Sequence, residues 1–527
     1  MSSEIPAGTG DRLPAGAVAA LAAMGLAVFV VANDFTALSV ALPQIERQFN
    51  TDVSSVQWVI NAYALVFGVL IVTGGRLADM FGRRRMFFVG AGIFAVFSVL
   101  GGVAQSAGML IAARGLMAIG GAMMWPATLG MTYAILPESK AGLAGGLIIG
   151  VAGIGNALGP LIGGVLTDVA SWRWVLLLNL PVAAVACAVT WAKVKEPPDH
   201  PARGRIDYGG ILTLSLGLTA LLVALDQAGD WGFGDPRVIA LLVAFVVLIA
   251  SFPLIERRMG DDALIPRELL HQRQFVACCA AIPLLGTAFF ALLLYLPQFM
   301  QKLLGFSPLQ AGIGLLPMMA VFGAVSFVAG TLYDRLGAKL STAGGAACMA
   351  VGLLIVSLAG AGSGYGLLGA GMALFGIGVG LFFSSATTAG VTALDPARAS
   401  LAGGVLYMFQ VAGGSIGLGV TTAIFSAASQ STVHAGSVAR ALTTAQEHAV
   451  NGLLAGTDDA HDLVAQFPHL RVTLGALARH AFADGTQTAF RVVAALAAVA
   501  FLISATFITG RPRLHRQPAA EPSPAAA

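Results

Sequence analysis

Long apolar runs alternate with short polar breaks along the whole chain. A helix needs roughly 20 apolar residues to cross the hydrocarbon of a bilayer. Runs of that order fall at 17–42, 54–74, 85–104, 107–132, 142–166, 174–192, 208–227, 236–255, 275–299, 308–332, 341–360, 364–391, 401–426 and 488–509. They predict fourteen membrane-spanning helices, and the even number puts both termini on one side. The expected fold class is therefore an all-α polytopic membrane protein. One long break, 427–487, separates the last two runs and is expected to form a partly helical outer cap.

Composition agrees with this pattern and narrows it. Of 527 residues 57% are hydrophobic and 10% charged, against about 25% charged in soluble domains. The net charge of +3 is too small to argue for nucleic acid. Its distribution is more informative. With the N-terminus cytoplasmic, twenty of the 29 Lys and Arg residues fall in inward segments, eight in outward ones, and Arg114 within a span. Cytoplasmic loops are the ones enriched in Lys and Arg, so both termini are expected in the cytoplasm and the chain in the inner (plasma) membrane. Cys187, Cys278, Cys279 and Cys348 lie within apolar runs without metal-ligand spacing and read as small buried side chains. The histidines of the outer break, His434, His448, His461, His469 and His480, read as solvated. No metal and no cofactor is expected, and the absence of GxxxxGK[ST] argues against ATP as the energy source.

The chain repeats itself. Gly75-Arg-Leu-Ala-Asp79-Met-Phe-Gly82-Arg83 reappears as Gly330-Thr-Leu-Tyr-Asp334-Arg335-Leu-Gly337-Ala-Lys339. Leu42-Pro43-Gln44 reappears as Leu296-Pro297-Gln298 at nearly the same offset. Two six-helix units in parallel repeat follow, with a helix pair inserted between them. The expected organisation is a tail at 1–16, a bundle at 17–195, a linker with two helices at 196–273, a second bundle at 274–510 that includes the outer segment 427–487, and a tail at 511–527.

These segments resemble a known family. GRLADMFGRRR between spans two and three is similar to the signature loop of the major facilitator superfamily. GNALGPLIGG (155–164) resembles the span-five motif of its antiporters, and LIAARGLMAIGGA (110–122) the span-four arginine motif. NDFTALSVALP (33–43) with SWRWVLLLNLPV (171–182) resembles the fourteen-helix drug:proton antiporter branch, the EmrB/QacA type. Met80, Met117 and Ala118 depart from the family pattern. The resemblance implies alternating access driven by a proton gradient. It also implies a gating loop at Gly75, Asp79, Gly82 and Arg83 with its second copy at Asp334 and Arg335, and a hinge at Gly155, Gly159, Pro160, Gly163 and Gly164.

An ionisable residue at membrane depth is costly and marks function or a specific partner. Asp34 in span one suits a group that loads and releases a proton, or else one that bonds the broken end of its helix near Asn33. Arg114 in span four is always charged and requires an anion or several backbone acceptors. The resemblance gives it a role in proton coupling; a structural ion pair is the other reading. The position equivalent to Asp34 in the second repeat is Phe289, so the acid has no counterpart there. Trp58, Tyr63, Phe67, Met123, Trp125, Phe289, Phe290, Tyr295 and Tyr407 are the aromatic and methionine side chains expected to wall a pocket for apolar ligands.

The expected function is proton-coupled efflux of hydrophobic small molecules such as antibiotics, dyes or toxic metabolites, not an enzymatic reaction. Protons, membrane lipids and an accessory periplasmic protein are the partners considered. Export of a lipid or lipophilic envelope component is the alternative, and a non-transporting receptor or scaffold the third reading.

Overall fold

The computed structural model describes residues 16–510 apart from 51–52, 138–139, 195–205, 233, 261–262, 307, 361 and 456–465. The expected tails, 1–16 and 511–527, therefore lie outside the described residues except for Gly16, as does His461. Hydrocarbon offers backbone groups no water, so a spanning segment has to satisfy its own N–H and C=O groups as a helix. Fourteen helices among the described residues are long and apolar enough to span. They are α1 (Ala17–Ala37), α2 (Val53–Phe81), α3 (Arg83–Gly102), α4 (Ala107–Ile135), α5 (Ala141–Val169), α6 (Asn179–Lys193, which spans together with the short helix Arg173–Leu177 before it) and α7 (Tyr208–Trp231). Next come α8 (Pro236–Met259), α9 (Arg273–Leu304), α10 (Gln310–Leu336), α11 (Ala338–Val356), α12 (Tyr365–Val391), α13 (Ala399–Ala439) and α14 (Arg471–Phe507).

Ends are set by local chemistry. Ser106 Oγ accepts from Met109 N at 3.2 Å to cap α4. Asp235 accepts from Arg237 N at 2.7 Å to cap α8 behind Pro236. The turn between α2 and α3 passes through Gly82 at φ 99°, and that between α10 and α11 through Gly337 at φ 84°. Both lie where a side chain is strained, which explains why the repeat keeps glycine at this point.

Helices in lipid gain little from apolar contact alone, so close packing of small residues carries their association. α3 crosses α4 where a Cβ on Gly90 would stand 2.7 Å from Gly120 O. The same crossing recurs between α11 and α12, where a Cβ on Gly378 would stand 2.6 Å from Gly345 O. The sequence repeat is thus also a packing repeat. α1 packs on α5 and α6, and α2 and α3 on α4; α9 packs on α13 and α14. Helices of the first and second repeat then meet along α2–α13 and α5–α10.

The inserted pair is placed asymmetrically. α7 packs on α2 and α13, and α8 on α7. Only 6% of the most apolar window of α8 is buried and its mean hydropathy is 3.0, the highest of the fourteen. Such a helix, apolar on all sides, belongs in lipid.

The outer segment differs from expectation. Instead of ending near 426, α13 runs to Ala439; a helix follows at Thr444–Ala455; and α14 begins at Arg471 rather than near 488. Val433, Val450, Leu474, Leu477 and Ala481 bury one another there in a core of their own. Lys302 ties it to α9, donating to Leu454 O at 2.8 Å and lying 4.8 Å from the Phe482 ring.

Candidate functional site

Two polar networks stand toward opposite ends of the first six helices, and a run of aromatic rings leads away from one of them. The first is built on Asp34 and Arg114. Asp34 comes near the end of α1, and Arg114 two turns into α4. Their side chains are wholly buried and form an ion pair, Arg114 Nη1 to Asp34 Oδ2. Arg114 further donates from Nε to Val59 O at 2.9 Å and from Nη2 to Asp34 O at 3.3 Å, and it lies 4.3 Å from the Tyr63 ring. Met117, one of the departures from the family pattern, sets its Sδ 3.9 Å from Nη1. The other oxygen of Asp34 accepts from Asn179 Nδ2 at 2.9 Å, and the same nitrogen lies 3.1 Å from Ser98 Oγ. Asn179 opens α6 and Ser98 lies on α3. Both escaped sequence reasoning because a neutral polar residue in a span carries no charge signal, although Asn179 stood inside the quoted segment 171–182.

The span-five glycines set the position of α1. Gly155, Gly159 and Gly163 recur every four residues and share one face of α5. A Cβ on Gly155 would stand 3.0 Å from Phe29 O, and one on Gly159 3.0 Å from Asn33 O. Gly163 meets Ala37 O. Thr36 Oγ1 donates across to Asn156 O at 3.0 Å. These glycines form the groove in which the Asp34 helix lies, while Gly164 has only Val40 at 3.7 Å and Pro160 is half-buried.

Rings lead away from the ion pair. Phe35 meets Tyr63 at 4.8 Å and Phe67 at 5.0 Å; Phe67 meets Trp125 at 6.1 Å and Tyr407 at 5.8 Å; and Trp125 meets Tyr407 at 4.6 Å. Tyr407 belongs to α13, so this cluster crosses between the repeats. A narrow cavity lies beside it, lined by Trp125, Ile148, Ile149, Ile282, Tyr407 and Gln410 among others. Phe289 and Phe290 form a second cluster with Phe322, which touches α5 at Gly153. The remaining expected wall residues are elsewhere. Met123 packs between Gly74 and Gly90, Tyr295 bonds Thr422 at 2.9 Å beside Phe425, and Trp58 is half-buried outside both clusters.

The second network lies at the far end of α2. Asp79 accepts from Ser400 N at 3.3 Å and Leu401 N at 2.8 Å, which caps α13 with a carboxylate where a helix start favours one. Arg83 pairs with Asp79 at 3.0 Å, donates to Gly130 O at 3.2 Å and reaches Pro396 O. Its repeat copy, Asp334 on α10, accepts from Gly142 N at 3.2 Å at the start of α5. Gly75 faces Ser400 O and Gly330 faces Gly142 O, where a Cβ would stand 2.6 and 2.5 Å away. Each half therefore caps a helix of the other, and this end of the seam is closed. Tyr133 adds a hydrogen bond to Thr388 at 3.1 Å. Arg335, expected to act with Asp334, is exposed on the turn and takes no part in these contacts.

Fourteen lipid-compatible helices, twelve of them in two repeats, a closed seam between the repeats and a charged pair buried in one half define a multi-pass membrane transporter architecture. The chain belongs to the Major Facilitator Superfamily, which residues 24–418 match. It is 31% identical over 414 residues to the multidrug resistance protein Stp of Mycobacterium tuberculosis, covering 77% of this chain and 75% of that one. It is 30% identical over 400 residues to the tetracenomycin C resistance and export protein of Streptomyces glaucescens, covering 76% and 74%. The crystal structure of the human organic anion transporter MFSD10 (TETRAN) matches with a TM-score of 0.63 at 13% identity, over 94% of this chain and 100% of that one, a likeness of fold.

Proposed function

We propose that the chain exports hydrophobic small molecules, antibiotics among them, in exchange for protons. Asp34 carries the proton and Arg114 responds to its charge. One observation carries this reading: the buried Asp34–Arg114 pair is continuous, through Tyr63, Phe35 and Phe67, with Trp125 and Tyr407 at the seam between repeats. Apolar and aromatic walls with few polar groups suit varied apolar ligands. Two relatives named for multidrug resistance and for tetracenomycin C resistance and export support the substrate class and direction.

In this reading the bundles 17–195 and 274–510 rock about the seam, in the plasma membrane, with both termini and the Asp79 end in the cytoplasm. The Asp79–Leu401 and Asp334–Gly142 caps hold the cytoplasmic side shut and separate when it opens. The test is everted vesicles with an imposed pH gradient, acid inside, and ethidium or puromycin added to the medium. Gradient-driven uptake should be abolished in Asp34→Asn, and proton release on adding ethidium should go with it. Uptake and proton release unchanged in that variant would remove Asp34 as the carrier. Export of a lipid is the second reading, and the position of α7 across α2 and α13 favours it as a lateral approach; fluorescent phospholipid in the same vesicles tests it.

A further inference from the structure

The hydrogen bonds that end on Asp34 have a forced direction. Leu176 offers a backbone carbonyl, which only accepts, so Ser98 Oγ donates to it at 2.7 Å. A hydroxyl has one hydrogen. Ser98 therefore accepts from Asn179 at 3.1 Å, which means that Asn179 turns its amide nitrogen, not its carbonyl, toward this point. Its second N–H reaches Asp34 Oδ1 at 2.9 Å. Ser98 is 0% exposed, and Asn179 and Asp34 are each 1% exposed, so no solvent competes for these bonds.

A proton on Oδ1 would meet an N–H already aimed at that oxygen. Oδ2 has Arg114 Nη1 instead, a group that has other places to bond. We propose that Asn179, oriented by Ser98 and the Leu176 carbonyl, is a positioning residue that directs the proton to Oδ2, so that protonating Asp34 and releasing Arg114 are one event. The proposal rests on the reading of Asp34 as proton carrier. In the step, hydronium gives a proton to an Oδ2 lone pair: one O–H bond of hydronium breaks and leaves water, one O–H bond forms on Oδ2, and the Arg114 N–H withdraws from that oxygen. Arg114 is not stranded, because Nε keeps Val59 O, Nη2 keeps Asp34 O, and the Tyr63 ring stays beside it. Among the described residues, the titratable and charged groups facing Asp34 are Arg114 from α4 and Tyr63 from α2. α3 and α6 present Ser98 and Asn179, and α5 presents its glycines. Without the Asn179 donor Oδ1 is the oxygen left open while Oδ2 keeps Arg114, so a proton settles on Oδ1 with the ion pair intact and proton binding no longer signals to α4.

Infrared difference titration of the full-length protein in bilayers tests this without a substrate. The protonated Asp34 carbonyl stretch is identified as the band missing from Asp34→Asn. In the wild type that carbonyl oxygen is Oδ1, held by Asn179, which lowers its frequency. In Asn179→Leu the proton sits on Oδ1 and the carbonyl oxygen is Oδ2, held by the charged Arg114 guanidinium, so the band should move to lower wavenumber. A move to higher wavenumber would mean that only a hydrogen bond was lost with the proton still on Oδ2, and would overturn the proposal. Ser98→Ala, a smaller change that leaves the amide in place but free to turn, should broaden it in the same direction and serves if Asn179→Leu fails to fold. A band unmoved in every variant that folds overturns the role of Asn179. If no band is missing from Asp34→Asn, the carrier role of Asp34 fails and the proposal goes with it.

Discussion

Asp79 Oδ2 accepts a hydrogen bond from Leu401 N at 2.8 Å, joining residues 322 positions apart and closing one end of the seam between the repeats. Its repeat copy, Asp334, does the same for Gly142 at 3.2 Å. The two closures are unequal, however. Asp79 is 5% exposed and paired with Arg83, whereas the residue in the position of Arg83 in the second copy is Ala338 and Asp334 is only half-buried. The α2–α13 contact is therefore the stronger latch.

Removing that latch should open the seam. Asp79→Ala deletes two helix-capping bonds and leaves Arg83 without its acid; breaking a buried charge pair costs about 3 kcal/mol or more. That is on the order of a hundredfold in a two-state equilibrium, at 1.4 kcal/mol per tenfold. With the four native cysteines replaced, Thr388→Cys should become open to a membrane-impermeant maleimide from the Asp79 side in the Asp79→Ala background and stay protected with Asp79 present.

The repeat suggested that Arg335 would act beside Asp334, and the fold separates them. Arg335 occupies the position of Met80, not that of Arg83, and its side chain points to solvent. Exposed charges away from a network contribute little, about 0–1 kcal/mol. Arg335→Ala should leave gradient-driven ethidium transport within about twofold of wild type. Arg83→Ala should lower it by about tenfold or more, since Arg83 joins α3 to Asp79, Gly130 and Pro396.

The spans were legible because lipid imposes one rule, about 20 apolar residues per crossing, and each obeys it. The outer extensions of α13 and α14 were not, because Gln430, Ser431 and His434 on one side of α13 dilute its hydropathy while Val433 buries on the other. The charged pair was legible as two residues, since Asp34 and Arg114 stand out in apolar runs, but their pairing is set by how α1 and α4 cross. The aromatic wall was legible only in part. Tyr63, Phe67, Trp125 and Tyr407 meet, whereas Met123 and Tyr295 turn into their own bundles, a choice that depends on helix rotation and not on residue type.

The five span-five motif residues should not be equivalent. Gly159→Ala would set a methyl against Thr36 and within 3.0 Å of Ala37 N and Asn33 O, backbone that cannot give way cheaply. It should displace α1 and lower ethidium transport by about tenfold or more, as overpacking of this kind costs roughly 1–3 kcal/mol. Gly164→Ala meets only Val40 at 3.7 Å and should transport normally. Equal loss in both variants would point to helix bending, not packing, as the role of the motif.

The two members of the ion pair should also be coupled in stability. Arg114→Gln leaves the Asp34 carboxylate buried beside Asn179 without its guanidinium partner. Asp34→Asn leaves Arg114 charged at every accessible pH, held by Val59 O and the residue-34 carbonyl. Thermal unfolding in detergent should therefore give each single variant a Tm below that of wild type. The double variant should be destabilised by less than the two single losses added together, because neither buried charge remains to be left unpaired.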